Sequence, residues 1–319
     1  VAARPVLSMG DGPRAAAVAA RLPAGLLEGL PTEGVLAGRV GFWRKFVRNP
    51  LGVVGGLLLL AVAVSAIFAE RVAPQDPARQ SLLNRFAPPA WTAKGTWKYP
   101  LGSDQVGRDV LSRIIHGTRV SLVVGLSAVS LSLVIGVILG LLSGTFGGRV
   151  DTVIMTVVDI FLTFPSILLA LAIVAVLGPG LVSIIIAIGL TGWERYARVV
   201  RAEVLALREK EFVLAARAIG ATGQKVIFRH ILPNTFSSII VMGTLQTAQA
   251  ILAEAALSFL GLGTGRAYPS WGQMISLGRD YVNIAWWLPT FPGLAILFTV
   301  VAINLVGDRL RDLLDPRVR

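Results

Sequence analysis

Five stretches of this chain are apolar for long enough to cross a lipid bilayer, and that limits its fold more than any motif does. A helix needs about 20 apolar residues to cross a hydrocarbon layer of roughly 30 Å. Residues 51–69, 121–142, 153–177, 237–262 and 288–306 meet that length. Lipid offers no partner to a free backbone N–H or C=O, so such segments cross as helices. The expectation is an all-α polytopic membrane protein. A sixth run, 181–192, is shorter, and its helix is free to continue through Trp193 and Tyr196, whose rings suit a membrane interface.

Charge decides that sixth case. The formal charge of +12 would fit a nucleic-acid reader if Lys and Arg covered one soluble face, but they gather at the ends of the apolar runs. With six spans and the N-terminus inside, segments 1–50, 143–152, 194–236 and 307–319 hold 20 of the 30 Lys and Arg. Removing span 181–192 would move the eight cations of 194–236 outside, against the positive-inside rule. Six transmembrane helices with both termini cytoplasmic is therefore the expected topology. The apolar share of 54% against only 15% charged residues agrees. There is no Cys, and the only His are His116 and His230, so disulfides, thiolate metal sites and a haem or zinc centre are not expected.

On this topology the chain divides into a mobile cytoplasmic tail over 1–38, then the first transmembrane helix with an extracytoplasmic loop and amphipathic helix over 39–118. Next comes a five-helix core over 119–308, with a cytoplasmic C-terminal tail at 309–319. No cleaved signal peptide is expected, because the first apolar run starts only near residue 51.

Within the spans, Gly136, Gly140 and Gly144 form a small-residue stripe that packs helices closely, either inside one subunit or between subunits. Asp159 and Glu254 are the acids well inside the spans. An acid there costs about 2.5–3.5 kcal/mol on insertion scales, so each marks either a solute pathway or a structural hydrogen bond. Pro165 should kink the third span. In the outer loop, Val106, Val110, Leu111, Ile114 and Ile115 share a helical face and Asp104 is placed to cap its start. Trp271, Trp286 and Trp287 suit either interfacial anchoring or contact with an external partner.

One stretch breaks the apolar pattern: EFVLAARAIGATGQKVIFRHILPN, residues 211–234. Phe212, Ala215, Ala216 and Ile219 recur at helical spacing, Gly220 supplies a turn, and a second short helix should close near Pro233. Periodicity alone leaves two readings open: a hairpin packed on its own bundle, or one presented to a separate cytosolic protein.

This stretch resembles the EAA signature of ABC importer permeases at Ala215, Ala216, Gly220, Leu232 and Pro233. Leu214 stands in the leading Glu slot and His230 in the Ile slot. PLGSDQVGRDVLSRIIHGTRVSL, DIFLTFPSILLALAIV, EAALSFLGLG, YPSWGQMI and GDRLRDLLDPR resemble, in order, the C-type permeases of the dipeptide, oligopeptide and nickel branch. The resemblance covers roughly residues 40–319. It implies a type I ABC importer permease fold and a non-catalytic subunit of an inner-membrane importer of short peptides, with nickel chelates or other small solutes as the alternative. Its partners would be a homologous permease, two cytosolic ATPases carrying ATP and Mg, and an extracytoplasmic solute-binding protein. The coupling loop would lie within 203–235, with Phe212, Ala215, Ala216, Arg217, Ile219, Gly220, Ala221, Leu232 and Pro233 at the ATPase contact. Independently, the chain has no G-x-x-x-x-G-K-[ST] loop, so it holds no phosphate cradle of that kind. An ion-coupled secondary transporter would show several intramembrane acids or broken helices, and internal inverted repeats; the sequence has two such acids and no evident repeat. A membrane enzyme would need a nucleophile with its base, or metal ligands, near a span.

Overall fold

The computed structural model describes residues 46, 49–263 and 269–314. The expected tail at 1–38, and residues 315–319 of the expected C-terminal tail, lie outside them. The long apolar helices all belong to the unit Val47–Arg319.

Helix α1, Pro50–Ile67, starts where Pro50 follows Asn49, whose side chain accepts from the Leu51 and Gly52 amides. Helix α2, Val110–Phe146, has 37 residues and so reaches about 55 Å, well beyond a bilayer's thickness. Its first turns carry Val110, Leu111, Ile114 and Ile115 of the expected amphipathic face, continuous with the span rather than separate from it, while Val106 lies in the turn before it. The cap is Asp109, not Asp104: its carboxylate accepts from the Ser112 amide at 2.8 Å and the Ser112 hydroxyl at 2.6 Å. Asp104 instead closes the preceding turn, accepting from the Val106 and Arg108 amides and pairing with the Arg108 guanidinium at 2.6 Å. Sequence spacing could not separate the two, because either Asp precedes an apolar run.

The third apolar run, 153–177, is two helices meeting at 91°: α3, Gly148–Thr163, and α4, Ser166–Leu177. Pro165 brings no N–H to a helix ladder and holds Phe164 in the extended region, so the bend falls where the sequence places it. After Gly178, Pro179 and Gly180 come α5, Leu181–Leu190, then a break at Thr191 and Gly192, then α6, Trp193–Arg208. Helix α7, Glu211–Ala218, and the single turn α8, Gly223–Val226, form the hairpin.

A π-turn over Ile227–Ile231 then leads directly into α9, Leu232–Leu257. The second helix thus does not close near Pro233. Pro233 sits in the first turn of α9, where its missing N–H costs nothing, and the wide turn before it takes up the register change. Helix α10, Trp271–Gly278, and α11, Trp287–Leu314, complete the unit; α11 runs into the segment expected as a tail from residue 309.

Among the described residues, four helices are long and apolar enough to cross a membrane, or five if the bent pair α3–α4 is one span. Helix α5, at ten residues, is too short by itself.

The glycine stripe of α2 packs within this subunit, against α6. A Cβ on Gly136 would lie 2.4 Å from Tyr196 Cβ, one on Gly140 2.7 Å from the Ala197 carbonyl, and one on Gly144 2.7 Å from Val204 Cβ. Helices have no hydrophobic drive to associate in lipid, so this close approach is what holds the pair. Higher up the same helix, Gly125 meets Ile251 of α9, and Gly117 meets Trp271 of α10. Trp271 is buried and donates to the Ile114 carbonyl at 3.0 Å, while Trp287 is buried and donates to the Ser103 carbonyl at 3.1 Å. These two indoles are therefore core posts of the fold, neither lipid anchors nor partner contacts. Trp286 is the exposed member of the three.

Candidate functional site

The hairpin hangs from the end of α6. Helix α7 ends in a Schellman motif: the Gly220 amide donates to the Arg217 carbonyl at 2.9 Å and the Ala221 amide to the Ala216 carbonyl at 3.0 Å. Gly220 has φ +86°, the left-handed region that a side chain resists, so the glycine is what lets the chain reverse there. Thr222 then caps α8.

Only part of the apolar stripe faces inward. Val213 and Ala216 are buried, and Val213 packs with Val200 and Val204 of α6, Val226, Ile231 and Ile239. Phe212, Ala215, Arg217 and Gly220 are exposed, and Ile219 is 87% exposed. Ala221 and Leu232 are half-buried and Pro233 is exposed. Leu214 and Phe228 add to the outer apolar face, and the His230 ring lies 6.5 Å from that of Phe212. Of the two readings left open by periodicity, packing on the bundle is observed for one face, fixed on α6 and α9; the other face is an exposed apolar surface.

The second feature lies between helices. A cavity of about 350 Å³ is lined by Ala128, Ser132, Ala170, Thr191, Arg195, Gln246, Gln249 and Ala253, among others. An adjoining groove of about 500 Å³ shares Arg195, Gln246 and Gln249 and adds Met242, Leu245, Asn304 and Asp308. The break at Thr191 and Gly192 is what places Arg195 on this wall. The guanidinium donates to Gln246 Oε1 at 3.4 Å and lies 3.7 Å from Glu194 Oε1.

Neither acid singled out in the sequence lines these cavities. Asp159 is an exposed residue of α3 paired with Arg198 of α6. Glu254 is fully buried and accepts from the hydroxyls of Ser121 at 3.3 Å and Ser258 at 2.7 Å, with Ser270 as a further partner. It ties α9 to α2 and to the segment that starts α10. The residues that sequence reasoning missed are Arg195, Gln246, Gln249, Asn304 and Asp308. Two amides three residues apart on one face of an apolar span, Gln246 and Gln249, were the available signal.

Residues 136–319 match the family described as binding-protein-dependent transport system inner membrane component. Residues 40–89 match the N-terminal TM domain of oligopeptide transport permease C. The chain belongs to this permease family. It is a non-catalytic, multi-pass component of the inner membrane.

Among curated relatives, a di/tripeptide transport system permease protein of Pseudomonas aeruginosa is 47% identical over 279 residues, covering 87% of this permease and 92% of that protein. A dipeptide transport system permease protein of Escherichia coli K12 is 48% identical over 278 residues, covering 87% and 93%. An inward-facing structure of the MetNI methionine ABC transporter superposes with a TM-score of 0.53 at 21% identity, over 63% of this chain and 96% of that one. That likeness gives the ABC importer permease fold.

Proposed function

We propose that this permease forms half of the translocation pathway of an ATP-driven importer of di- and oligopeptides, and that the hairpin is its docking element for a cytosolic ATPase. The reading carries six spans and cytoplasmic termini. In it, α5 and the first turns of α6 act together as the fourth span, and the rest of α6 carries its cations to the inner side: residues 181–208 track α2 in one direction, from Gly189 beside Leu131 to Val204 beside Gly144. At about 1.5 Å per residue, that broken helix covers about 40 Å, enough for a bilayer. Its partners are a homologous permease, two ATPases that carry ATP and Mg, and an extracytoplasmic solute-binding protein.

The observation that carries the docking role is the outer face of α7. Phe212, Ala215 and Ile219 stay exposed on a helix whose other face is anchored, and the small Ala215 lets a partner surface come close. Arg217 sits beside them for a polar contact, while Gly220 and Ala221 fix the turn and Leu232 and Pro233 fix the exit. A docked helix transmits ATPase closure only if its free energy of docking differs between the ATPase states. The test is co-purification of the transporter with Ile219→Asp, followed by ATP-driven uptake of a labelled dipeptide into proteoliposomes. Loss of the ATPases with the two permeases still paired is the expected result. Full ATPase retention and normal uptake would overturn the docking role.

A further inference from the structure

We propose that Arg195, Gln246, Gln249 and Asp308 form a wall that recognises the two charged ends of a short peptide inside the pathway. Arg195 and Gln246 take the C-terminal carboxylate and Asp308 takes the N-terminal ammonium. The inference rests on the peptide-import reading and adds to it the substrate-contacting groups.

The groove puts a cation, an anion and three amides on one surface drawn from α6, α9 and α11. Its volume, about 500 Å³, falls within the roughly 300–1,000 Å³ of small-molecule sites. Arg195 and Asp308 both line it and make no ion pair with each other. Separated charges of opposite sign on one wall match a zwitterion, whereas a simple anion or cation would use only one end.

The donors are available. The Arg195 contacts, at 3.4 and 3.7 Å, are longer than the roughly 2.7–2.9 Å of a charge-assisted hydrogen bond, so its fork is not committed. Gln246 accepts from Arg195 through Oε1, while its Nε2 is buried without a partner among the described residues. The Asp308 side chain has no ion pair among the described residues.

The chain's lack of Cys allows a direct test. Leu245 lines the groove and is 41% exposed, so Leu245→Cys places this chain's sole thiol there without removing a recognising group. In the nucleotide-free assembled transporter, modification by a maleimide–polyethylene glycol is followed as a mass shift of this chain. A free dipeptide should slow the reaction, and the same dipeptide acetylated and amidated should not. Adding Arg195→Gln should raise the half-protecting concentration about 10- to 100-fold, as expected for one hydrogen bond to a charged group. With Asp308→Asn, free and N-acetylated peptides should protect alike. Equal protection by free and doubly blocked peptides in the Leu245→Cys transporter would overturn the proposal, and that comparison stands even if Arg195→Gln fails to assemble. ATP-driven dipeptide uptake by the unmodified transporter is measured in parallel. Uptake without protection sinks this wall and leaves the import reading intact, and no uptake sinks both.

Discussion

Gly136→Ala isolates the energy of the closest helix contact in the glycine seam. The added Cβ would lie 2.4 Å from Tyr196 Cβ and 2.5 Å from the Trp193 carbonyl oxygen. Carbon atoms pack best at about 3.5–4.0 Å, so α2 and α6 must part by about 1 Å at this point. The obstruction is backbone and Cβ, which no rotamer change removes, and overpacking of that kind costs about 1–3 kcal/mol. Opposing it, Ala gains about 0.5–1 kcal/mol over Gly in a helix interior. Gly293, in α11, supplies the control because nothing lies within 4 Å of the Cβ it would gain. The two substitutions share the propensity gain, so their difference reports the steric cost alone. Equilibrium unfolding of the purified permease in mixed micelles should place G136A about 1–3 kcal/mol below G293A. If the two match within about 0.5 kcal/mol, the glycine seam is not what holds α6 on α2.

Three single residues give further expected outcomes. Gly220→Val puts a β-branched side chain at φ +86°, a cost of about 1–2 kcal/mol confined to the hairpin, so ATPase co-purification should fall while membrane insertion is retained; equal ATPase recovery would count against the turn's role. At the start of α2, burial pushes the Asp109 carboxyl above its usual range, and its cap is one oxygen that accepts from the Ser112 amide and hydroxyl, which an amide oxygen can also do. Asp109→Ala should therefore cost about 0.5–2 kcal/mol in unfolding measurements and Asp109→Asn much less; equal losses would show that the charge matters. Glu254→Ala leaves the Ser121, Ser258 and Ser270 hydroxyls buried without their shared acceptor and should cost about 1–3 kcal/mol, with peptide selectivity per assembled transporter unchanged; altered selectivity would return Glu254 to the pathway.

What was legible in the sequence was set by length and by local chemistry. Apolar runs near 20 residues marked the membrane helices, Pro165 marked a bend and Gly220 marked a reversal, because each effect acts within a few residues. Non-local pairing was less legible. Trp271 and Trp287 suited either an interface or an external partner by composition, but their burial depends on Gly117 and Gly102 coming up from a distant segment. The cap falls to Asp109 rather than Asp104 because the fold of the loop, not spacing, decides which carboxylate meets a free amide. The polar groove was hidden for the same reason: Arg195, Gln246 and Asp308 are 51 or more residues apart and meet only when α6, α9 and α11 converge.

That convergence links the two candidate sites through one element. Helix α6 begins beside the groove at Arg195 and ends, about 24 Å away by its 16 residues, just before the hairpin helix α7. Val200 and Val204 sit in the hairpin's apolar cluster, and the glycine seam clamps the same helix to α2. A close-packed helix cannot compress along its axis, so a displacement at the hairpin moves α6 as a rod or not at all. The break at Thr191 and Gly192 lies at the other end of that rod, where the Thr191 side chain and amide turn back onto α5 carbonyls. On this geometry the hinge between α5 and α6 is where motion from a docked ATPase would be absorbed, and Arg195, just beyond that break, is the cavity group it would shift. Stiffening that hinge with Gly192→Ala, whose Cβ would lie 2.9 Å from Ser132 Oγ, should slow peptide uptake more than it slows ATP hydrolysis. A proportional fall in both would mean that the hinge does not carry the coupling.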